Sequence, residues 1–232
     1  MHIEEIIVYF DSAILVVNKP AGLRTISDGY QPDIESLQTL MKRKFPTLFT
    51  VHRLDKDTSG LVVFGLNKDS HRNLNIQFEM RKVQKSYHAI IHNIPGWHEY
   101  LIDLPLLIDG DQKHRTKVNQ SGKKAQTFIK IIETNHLKNL SHLEAIPKTG
   151  YTHQIRAHLS QLGYPIFGDK LYSFNLTKDQ KMINSSAVRM MLHAATILNL
   201  IILIRMKKSI FLLKYPSIWM IFKKNRGAFQ LL

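Results

Sequence analysis

Six short apolar segments, each of strand length, occupy much of the first 150 residues and limit the fold more than any other feature. They cover residues 14–18, 61–66, 85–92, 101–108, 125–133 and 141–147. Only three stretches, at residues 34–41, 68–80 and 153–162, show the apolar spacing of a helix. Because the strands adjoin one another instead of alternating with helices, we predict an α+β fold with a largely antiparallel sheet, not a wound βαβ fold.

The composition is that of a folded protein without cysteine chemistry. Of 232 residues, 44% are hydrophobic and 22% are charged, so a sizeable core is available and wholesale disorder is excluded. The chain has no cysteine, which excludes disulfides, thiolate metal ligands and cysteine nucleophiles and suits the reducing cytoplasm. Its first residues show no basic and apolar leader pattern. We therefore predict a cytoplasmic protein without membrane contact, with a monomer and no obligate protein partner as the default.

The net charge of the chain is +14 at pH 7. A basic surface favours polyanionic partners, because each Lys or Arg that contacts a phosphate releases a counterion. Charge alone is equally compatible with a solvated surface of no consequence. Half of the excess comes from residues 197–232, which hold seven basic residues and no acidic one. Nucleic acid is therefore one partner class among several until specific residues are considered.

The segment at residues 51–60, VHRLDKDTSG, concentrates polar and charged side chains directly before the apolar strand at 61–66. Reactive loops usually lie on such rigid scaffolds, so this segment is the first candidate for a functional site. A solvated connection rich in turns is the alternative. Asp57, Thr58 and Ser59 are expected to shape the loop through local hydrogen bonds between side chain and backbone.

The motif HRLDKDTSG at residues 52–60 resembles the HRLDxxTSG motif of the RluA family of pseudouridine synthases. Five further segments resemble motifs of the same family and occur in the family's order: NKPAGL at 18–23, KSY at 85–87, TGYTHQIR at 149–156, GYPIFGDKLY at 163–172 and LHA at 192–194. The resemblance implies a catalytic domain over residues 1–196. It also implies the family's fold, a mixed and mostly antiparallel central sheet with flanking helices and a cleft.

The reaction implied by this resemblance needs neither a cofactor nor a metal. Family members flip the target uridine out of its RNA stack, break the bond between N1 and C1′, turn the base over and join C5 to C1′. Asp55 takes the position of the central catalytic carboxylate. Arg156 takes that of the arginine that keeps the carboxylate ionised in a closed pocket. Tyr87 takes that of a tyrosine whose ring stacks on the free base and whose hydroxyl accepts the C5 proton.

The same motifs hold the side chains that we expect to contact RNA. Arg53 matches the arginine that enters the RNA stack where the uridine leaves. The other expected RNA contacts are His52, Lys19, Lys85 and His153. The predicted partner is therefore RNA, either ribosomal or transfer RNA.

Simpler roles stay open for the principal site residues. Asp55 fits a turn or a helix cap, and Tyr87 fits core packing with a satisfied hydroxyl. Arg156 lies beside an apolar helical stripe and fits a solvated helix face, and Arg53 fits an ordinary surface charge.

Two departures from the family pattern affect these expectations. Position 151 is Tyr where the family usually has Arg, so a charge that contacts phosphate or braces the loop is missing.

After LHA the family continues with a strand, a His-Pro turn and a final strand, whereas residues 197–232 show no alternation and no acidic residue. We interpret them as an atypical C-terminal segment, and two apolar strands are its simplest structure. Its apolar stretch at 197–204 is too short to cross a bilayer, which takes roughly 20 residues.

The genetic code offers a second interpretation of this segment. Reading the codons of residues 199–211 one frame over, with permitted synonymous codons, allows FNHPHTNEEVHF, and the residues up to 222 allow LAEVPFDMDDF. Some positions leave no choice, since Met206 followed by Lys207 forces Glu, and Trp219 followed by Met220 forces Asp. The result resembles the family's ending. A frameshift near residues 197–199 is therefore a hypothesis for the origin of the segment.

Three rival functions compete with the pseudouridine synthase. The segment DKDT at residues 55–58 resembles the D-x-D-x-T motif of haloacid-dehalogenase phosphotransferases, but its spacing is one residue short and no apolar strand precedes it. A metal enzyme is disfavoured because His153 and His158 are five residues apart, not the four that share a helix face. The third rival is an RNA-binding homologue with impaired catalysis, which binds RNA and makes no product.

Overall fold

A computed structural model describes residues 2–27, 33–174, 176–185, 189–190, 192–202 and 207–213 of the chain. The helices are α1 (Ile3–Ile6), α2 (Leu37–Lys42), α3 (Lys68–Glu79), α4 (Gln154–Gln161) and α5 (Lys178–Ser185). The strands are β1 (Ile7–Phe10), β2 (Ile14–Lys19), β3 (Phe49–Thr50), β4 (Ser59–Gly65), β5 (Gln84–His92), β6 (Glu99–Asp103), β7 (Leu106–Leu107), β8 (Lys117–Val118), β9 (Gln126–Asn135), β10 (Leu140–Pro147), β11 (Leu192–Ile202) and β12 (Lys207–Leu212). No helix among these residues is long and apolar enough to span a membrane.

Ten of the described strands form one sheet. Its order is β1-β2-β4-β11-β5-β10-β9-β6, with β3 paired to β4 and β12 paired to β11. All of these pairs are antiparallel except β4 with β11, which run in the same direction. The strands β7 and β8 form a separate sheet of two strands. The predicted α+β fold with a mixed, mostly antiparallel sheet is confirmed.

Most predicted elements are present with shifted ends. Helix α2 begins only after Ser36, because the Ser36 side chain accepts a hydrogen bond from the Thr39 N–H while the Thr39 hydroxyl accepts one from the Ser36 N–H. One predicted strand, at residues 101–108, is wrong. The chain forms β6 and then β7, and between them Pro105 has no N–H to donate to a sheet.

The strands β2 and β4 are buried on both faces, which explains the unbroken apolar run at residues 61–66. Side chains alternate between the faces of a strand. On one face Leu61 and Val63 pack with Leu74 of α3. On the other face Val62 packs with Leu54, which belongs to the segment between β3 and β4. The face that carries Leu54 is called the front face, and the face that carries α3 is called the back face.

The close contact between β4 and β11 sets the position of the segment that carries Asp55. Ser59 pairs with His193 and Gly60 pairs with Ala194 in the parallel register. Gly60 has a φ of +117°, and a Cβ atom on it would lie 2.3 Å from the carbonyl oxygen of Ala194. Only glycine fits this close approach of two backbones.

The C-terminal strands form an antiparallel hairpin. β12 pairs with β11, and Phe211 and Leu213 pack against the back-face cluster around Leu61. Ile210 and Leu212, which alternate with them, are 62% and 66% exposed. The strand is therefore apolar on its solvent side as well. The remainder of the atypical segment, at 203–206 and 214–232, lies outside the described residues.

Candidate active site

Hydrogen bonds join the segment between β3 and β4 to the segment that follows β2. Lys19 is fully buried, and its ammonium donates hydrogen bonds to the carbonyl oxygens of Pro20, Leu23 and Lys56 at 2.9, 2.7 and 3.0 Å. The Thr25 hydroxyl adds a second tie, because it donates to the Leu54 carbonyl at 2.9 Å. The two motifs therefore form one rigid unit that presents Asp55.

Asp55 faces a guanidinium. Its Oδ2 lies 3.3 Å from Nη1 of Arg156, which donates a hydrogen bond to it, and 3.7 Å from Nε2 of His153. The Asp55 side chain is 22% exposed, whereas that of Arg156 is 6% exposed. The carboxylate can therefore reach a ligand in the cleft while a buried cation stabilises its charge.

Arg156 is itself held by a second carboxylate. Its Nε and Nη2 donate to the two oxygens of Asp169 at 2.7 and 3.0 Å, a bidentate pair that is fully buried. Burial alone acts to lower the pKa of Arg156, but the hydrogen bonds and charge of Asp169, with the charge of Asp55, outweigh it and raise the pKa. The guanidinium is therefore permanently charged and fixed in orientation.

Asp169 belongs to the same cluster of side chains, although the resemblance to the family assigns it no role. One of its oxygens also accepts hydrogen bonds from the backbone N–H groups of Leu171 and Tyr172, at 2.9 and 3.1 Å. The signal that points to it in the sequence is the acidic residue after Gly168 in the segment GYPIFGDKLY. Only the folded chain shows that this carboxylate meets Arg156.

Tyr87 shares a small pocket with Asp55 and Arg156. It lies in β5, where its cross-strand neighbours are Ala145 and Ala194, so that small side chains leave space beside its ring. A cavity of about 100 Å³ is lined by Asp55, Tyr87 and Arg156, together with Lys85 and Leu192. Burial, and then the negative charge of Asp55, raise the pKa of Tyr87 above its usual value. The phenol is therefore neutral near pH 7.

His153 lies in the wall between this pocket and the main cleft. It is the N-cap of α4, with a left-handed φ of 55°. Its Nδ1 is 3.2 Å from the Tyr172 hydroxyl, which ties the ring to the residues behind Arg156. Burial lowers the pKa of His153, although the charge of Asp55 opposes the shift. A neutral imidazole can offer hydrogen bonds to a ligand but no charge.

Of the remaining predicted RNA contacts, two face the cleft region. Arg53 is exposed at its rim and donates to the Thr152 hydroxyl at 3.3 Å, linking the Asp55 segment to the start of α4. Lys85 lines the small pocket, where burial lowers its pKa. Both are placed to meet a ligand that occupies the site.

The other two, His52 and Lys19, do not fit the predicted RNA contact. The Nε2 of His52 accepts a hydrogen bond from the Val63 N–H at 2.9 Å, and its ring stacks on Phe78 with centroids 4.6 Å apart. Burial lowers the pKa of His52 to about 3. Lys19 uses its three donors on backbone carbonyls, and burial lowers its pKa to about 7 against the charges of Asp55 and Asp57. Both side chains support the site from within the protein.

The main cleft has a volume of about 1180 Å³ and an excess of positive charge. Its acidic lining residues are Asp55, Asp57 and Asp169. Its basic lining residues are Arg24, Arg53, Lys56, Arg156, Lys170 and Arg189. A groove of this charge suits a phosphate backbone. Within the described ranges, no cluster of three His, Asp or Glu side chains could hold a metal ion.

Comparison with known proteins identifies the class that this fold and site define. A model of the family described as RNA pseudouridylate synthase matches residues 13–161. The relatives named dual-specificity RNA pseudouridine synthase RluA, from Escherichia coli (strain K12) and Yersinia pestis, are each 37% identical over 190 residues. That alignment covers 82% of this chain and 84% and 89% of the two relatives.

Solved structures show the same architecture. Human RNA Pseudouridylate Synthase Domain Containing 1 superposes with a TM-score of 0.78 at 26% identity, over 93% of this chain and 86% of that structure. Human RNA Pseudouridylate Synthase Domain Containing 4 shares the fold with a TM-score of 0.74. The chain is thus an RNA pseudouridylate synthase, an isomerase that acts on uridine in RNA. Within that class it belongs to the RluA family.

Proposed function

We propose that this chain isomerises an extruded uridine through the carboxylate of Asp55. The observation that carries the proposal is the joint lining of one 100 Å³ pocket by Asp55, Tyr87 and Arg156, with the Arg156 guanidinium on the carboxylate. The carboxylate attacks C1′ or C6, or abstracts a proton. The bond from N1 to C1′ breaks, the base turns over and C5 bonds to C1′. By the end of the reaction any bond from Asp55 to C1′ or C6 has broken, or the abstracted proton has returned to the sugar, so Asp55 is again a free carboxylate. N1 gains a proton and C5 loses one, so no redox partner or cofactor is consumed.

In this proposal Arg156 and Tyr87 serve the two ends of the reaction. Arg156 keeps Asp55 ionised at the edge of a low-dielectric pocket. The neutral Tyr87 ring stacks on the free base. Because its hydroxyl carries a proton at neutral pH, it accepts the C5 proton only if it passes its own hydrogen on in the same step.

We assign RNA contacts to the side chains that face the cleft. Arg53 lies at the rim, next to the carboxylate, where an arginine can fill the space that an extruded base leaves in the RNA stack. Lys85 and His153 line the pocket that receives the base. Lys19 and His52 keep the Asp55 segment in place and contact no RNA.

The substrate that we propose is structured RNA, either ribosomal or transfer RNA. The RluA relatives are named for a dual specificity, and the positive charge of the cleft suits RNA of either kind. We further propose that the chain works in the cytoplasm as a monomer without an obligate protein partner.

Replacement of Asp55 by Asn tests the catalytic assignment. Unmodified ribosomal and transfer RNA transcripts are incubated with the protein, and pseudouridine is mapped along them. We expect Asp55→Asn to abolish product while RNA binding is retained, because the amide keeps the shape but cannot carry the charge. Asp69→Asn, which changes an exposed carboxylate on the back-face helix α3, is the matched control and should retain full activity. Turnover by Asp55→Asn contradicts the assignment, and RNA binding by the unaltered chain without product supports the impaired homologue.

We also propose that a frameshift altered residues 197–232, the atypical C-terminal segment after the catalytic domain at 1–196, whose residues 197–202 continue β11 within the same sheet. The exposure of Ile210 and Leu212 supports this, because a strand with apolar side chains on its solvent face is poorly adapted to its position. Resequencing the gene tests the proposal. Codons between residues 199 and 222 that do not give the family-like ending when read one frame over would refute it.

A further inference from the structure

The lobe formed by residues 104–124 is fixed to the wall of the cleft and has no place in the mechanism. Leu106 of this lobe is fully buried in a cluster with Ala157 of α4 and Tyr172. The Tyr172 hydroxyl accepts a hydrogen bond from the Thr116 N–H at 2.8 Å and donates one to the Thr116 carbonyl at 3.1 Å. The lobe is therefore held rigidly against the same helix that carries Arg156.

Two further hydrogen bonds join the lobe to residues that line the main cleft. The Thr116 hydroxyl donates to the carbonyl of Thr152 at 2.7 Å. A guanidinium nitrogen of Arg115 donates to the carbonyl of Leu171 at 3.4 Å. Thr152 and Leu171 both line the main cleft. The surface of the lobe thus continues the cleft wall.

The second half of the lobe is strongly basic. Residues 112–124 include five Lys or Arg and one His, with no acidic residue. Asp111 pairs with Arg115 and Lys117, and Asp109 pairs with His114. The other three lysines are exposed and pair with no carboxylate in the described part of the chain; they are Lys113, Lys123 and Lys124. Their charges are therefore available to a polyanion.

One of these lysines lies over the residue that departs from the family motif. The Lys123 ammonium is 6.0 Å from the centre of the ring of Tyr151, a residue that lines the small pocket. Position 151 carries no charge in this chain. The positive charge at this part of the wall comes instead from the lobe, through Lys123.

We propose that the lobe of residues 104–124 is a second RNA contact surface, which binds the sugar-phosphate backbone next to the extruded nucleotide through Lys123 and Lys124. The inference rests on the proposed function, because it requires RNA in the main cleft. The exposed ammonium groups, the rigid attachment to α4 and the continuity with the cleft wall all fit a phosphate backbone that leaves the site along this lobe.

The test compares RNA affinity over a range of salt concentrations. The full chain and its Lys123→Ala/Lys124→Ala variant are titrated against a fluorescein-labelled, unmodified transfer RNA transcript in 50–200 mM KCl. Loss of two phosphate contacts should raise Kd about 10-fold at the middle of this range. The slope of log affinity against log salt should become shallower by roughly 1.5 to 2, because fewer counterions are released. Lys123→Arg/Lys124→Arg, which keeps both charges, should restore binding.

The control variant is Lys68→Ala/Lys138→Ala, which removes the same charge from exposed residues at the start of α3 and in the β9–β10 turn. Neither residue lines the cleft, so its Kd should stay within about twofold of the unaltered chain, as expected when no phosphate contact is lost. Equal Kd values and salt slopes for Lys123→Ala/Lys124→Ala and Lys68→Ala/Lys138→Ala would overturn the proposal. Product formation on the same transcripts is measured separately, so a failure of the catalytic assignment leaves the affinity comparison intact.

Discussion

The guanidinium of Arg156 hydrogen-bonds to two carboxylates, which differ in geometry and in burial. The shorter, bidentate contacts go to Asp169, which is fully buried, and the longer 3.3 Å contact goes to Asp55 at the edge of the cleft. Asp169 therefore takes up part of the charge and fixes the plane of the guanidinium. The proposed mechanism uses this longer contact, because it leaves the Asp55 carboxylate free to act on a substrate. We regard Asp169 as a positioning residue that acts through Arg156.

Replacement of Asp169 by Asn tests whether Asp169 acts as a positioning residue through Arg156. The amide accepts only one of the two hydrogen bonds from Arg156, so the guanidinium can turn and displace Asp55 by a fraction of an ångström. We expect kcat to fall roughly 100-fold while the KM for RNA stays nearly constant, because the basic rim of the cleft is unchanged. Steady-state kinetics on a transcript that the unaltered chain modifies provides both constants.

The control for this prediction is Asp179→Asn, the same substitution at an exposed position in α5. It should change neither constant. A KM that rises as much as kcat falls, with a lower thermal midpoint, would instead indicate that Asp169 only maintains the fold.

The parallel pair β4–β11 shows how a single element places the site. β4 begins at Ser59, four residues after Asp55, and its first residues lie close to the backbone of β11, where Gly60 faces Ala194. β11 also pairs with β5, so Ala194 is the neighbour of both Gly60 and Tyr87. The distance between the Asp55 segment and Tyr87 therefore depends on this one strand.

Gly60→Ala should disrupt that arrangement. The added Cβ lies within 2.3 Å of a backbone oxygen and the residue keeps a positive φ, so overpacking and backbone strain add. We expect the free energy of unfolding to fall by roughly 2–4 kcal/mol, measured by denaturant titration. Gly96→Ala is the control, because a Cβ there meets nothing within 4 Å. A decrease in the free energy of unfolding for Gly60→Ala no larger than that for Gly96→Ala would show that β11 shifts without a cost in stability.

At the scale of the whole molecule, buried histidines make the folded state sensitive to acid. His142 and His193 are 6% and 1% exposed. Burial, followed by the charge of His88, lowers the pKa of His142 to about 4. Burial, followed by Arg189 and His88, lowers the pKa of His193 to about 4 as well. In the unfolded chain both groups titrate near their ordinary value of about 6.5.

Stability should therefore fall as the pH drops from about 6.5 to about 4. In this window the unfolded chain binds protons that the folded chain does not, so acid favours unfolding, by up to about 1.4 kcal/mol per pH unit for each histidine. Unfolding titrations with guanidinium chloride at pH 7, 6, 5 and 4.5 measure the slope of the free energy of unfolding against pH. His193→Gln should reduce it, and His136→Gln, at an exposed turn position, should leave it unchanged. A flat profile down to pH 4.5 would contradict the neutral, buried state of these rings.

The strand pattern of the sequence was enough to predict the class of fold, and its motifs were enough to propose the members of the catalytic group. Strand length and the adjacency of apolar runs indicate a sheet, since these are local properties of the chain. The motif residues Asp55, Tyr87 and Arg156 are recognisable because chemistry demands particular side chains at particular positions. The prediction of one strand at 101–108 is wrong because the missing N–H of Pro105 outweighed an apolar pattern.

What each polar side chain faces became known only from the folded chain. Lys19 and His52 lie in motifs from which we expected RNA contacts, and yet they point into the protein, because nearby carbonyls and a backbone N–H satisfy them. Asp169, distant in sequence from Asp55, reaches the same arginine. Such partners follow from burial: a polar group removed from water must find a hydrogen bond wherever the folded chain provides one, and no local pattern in the sequence records where that is.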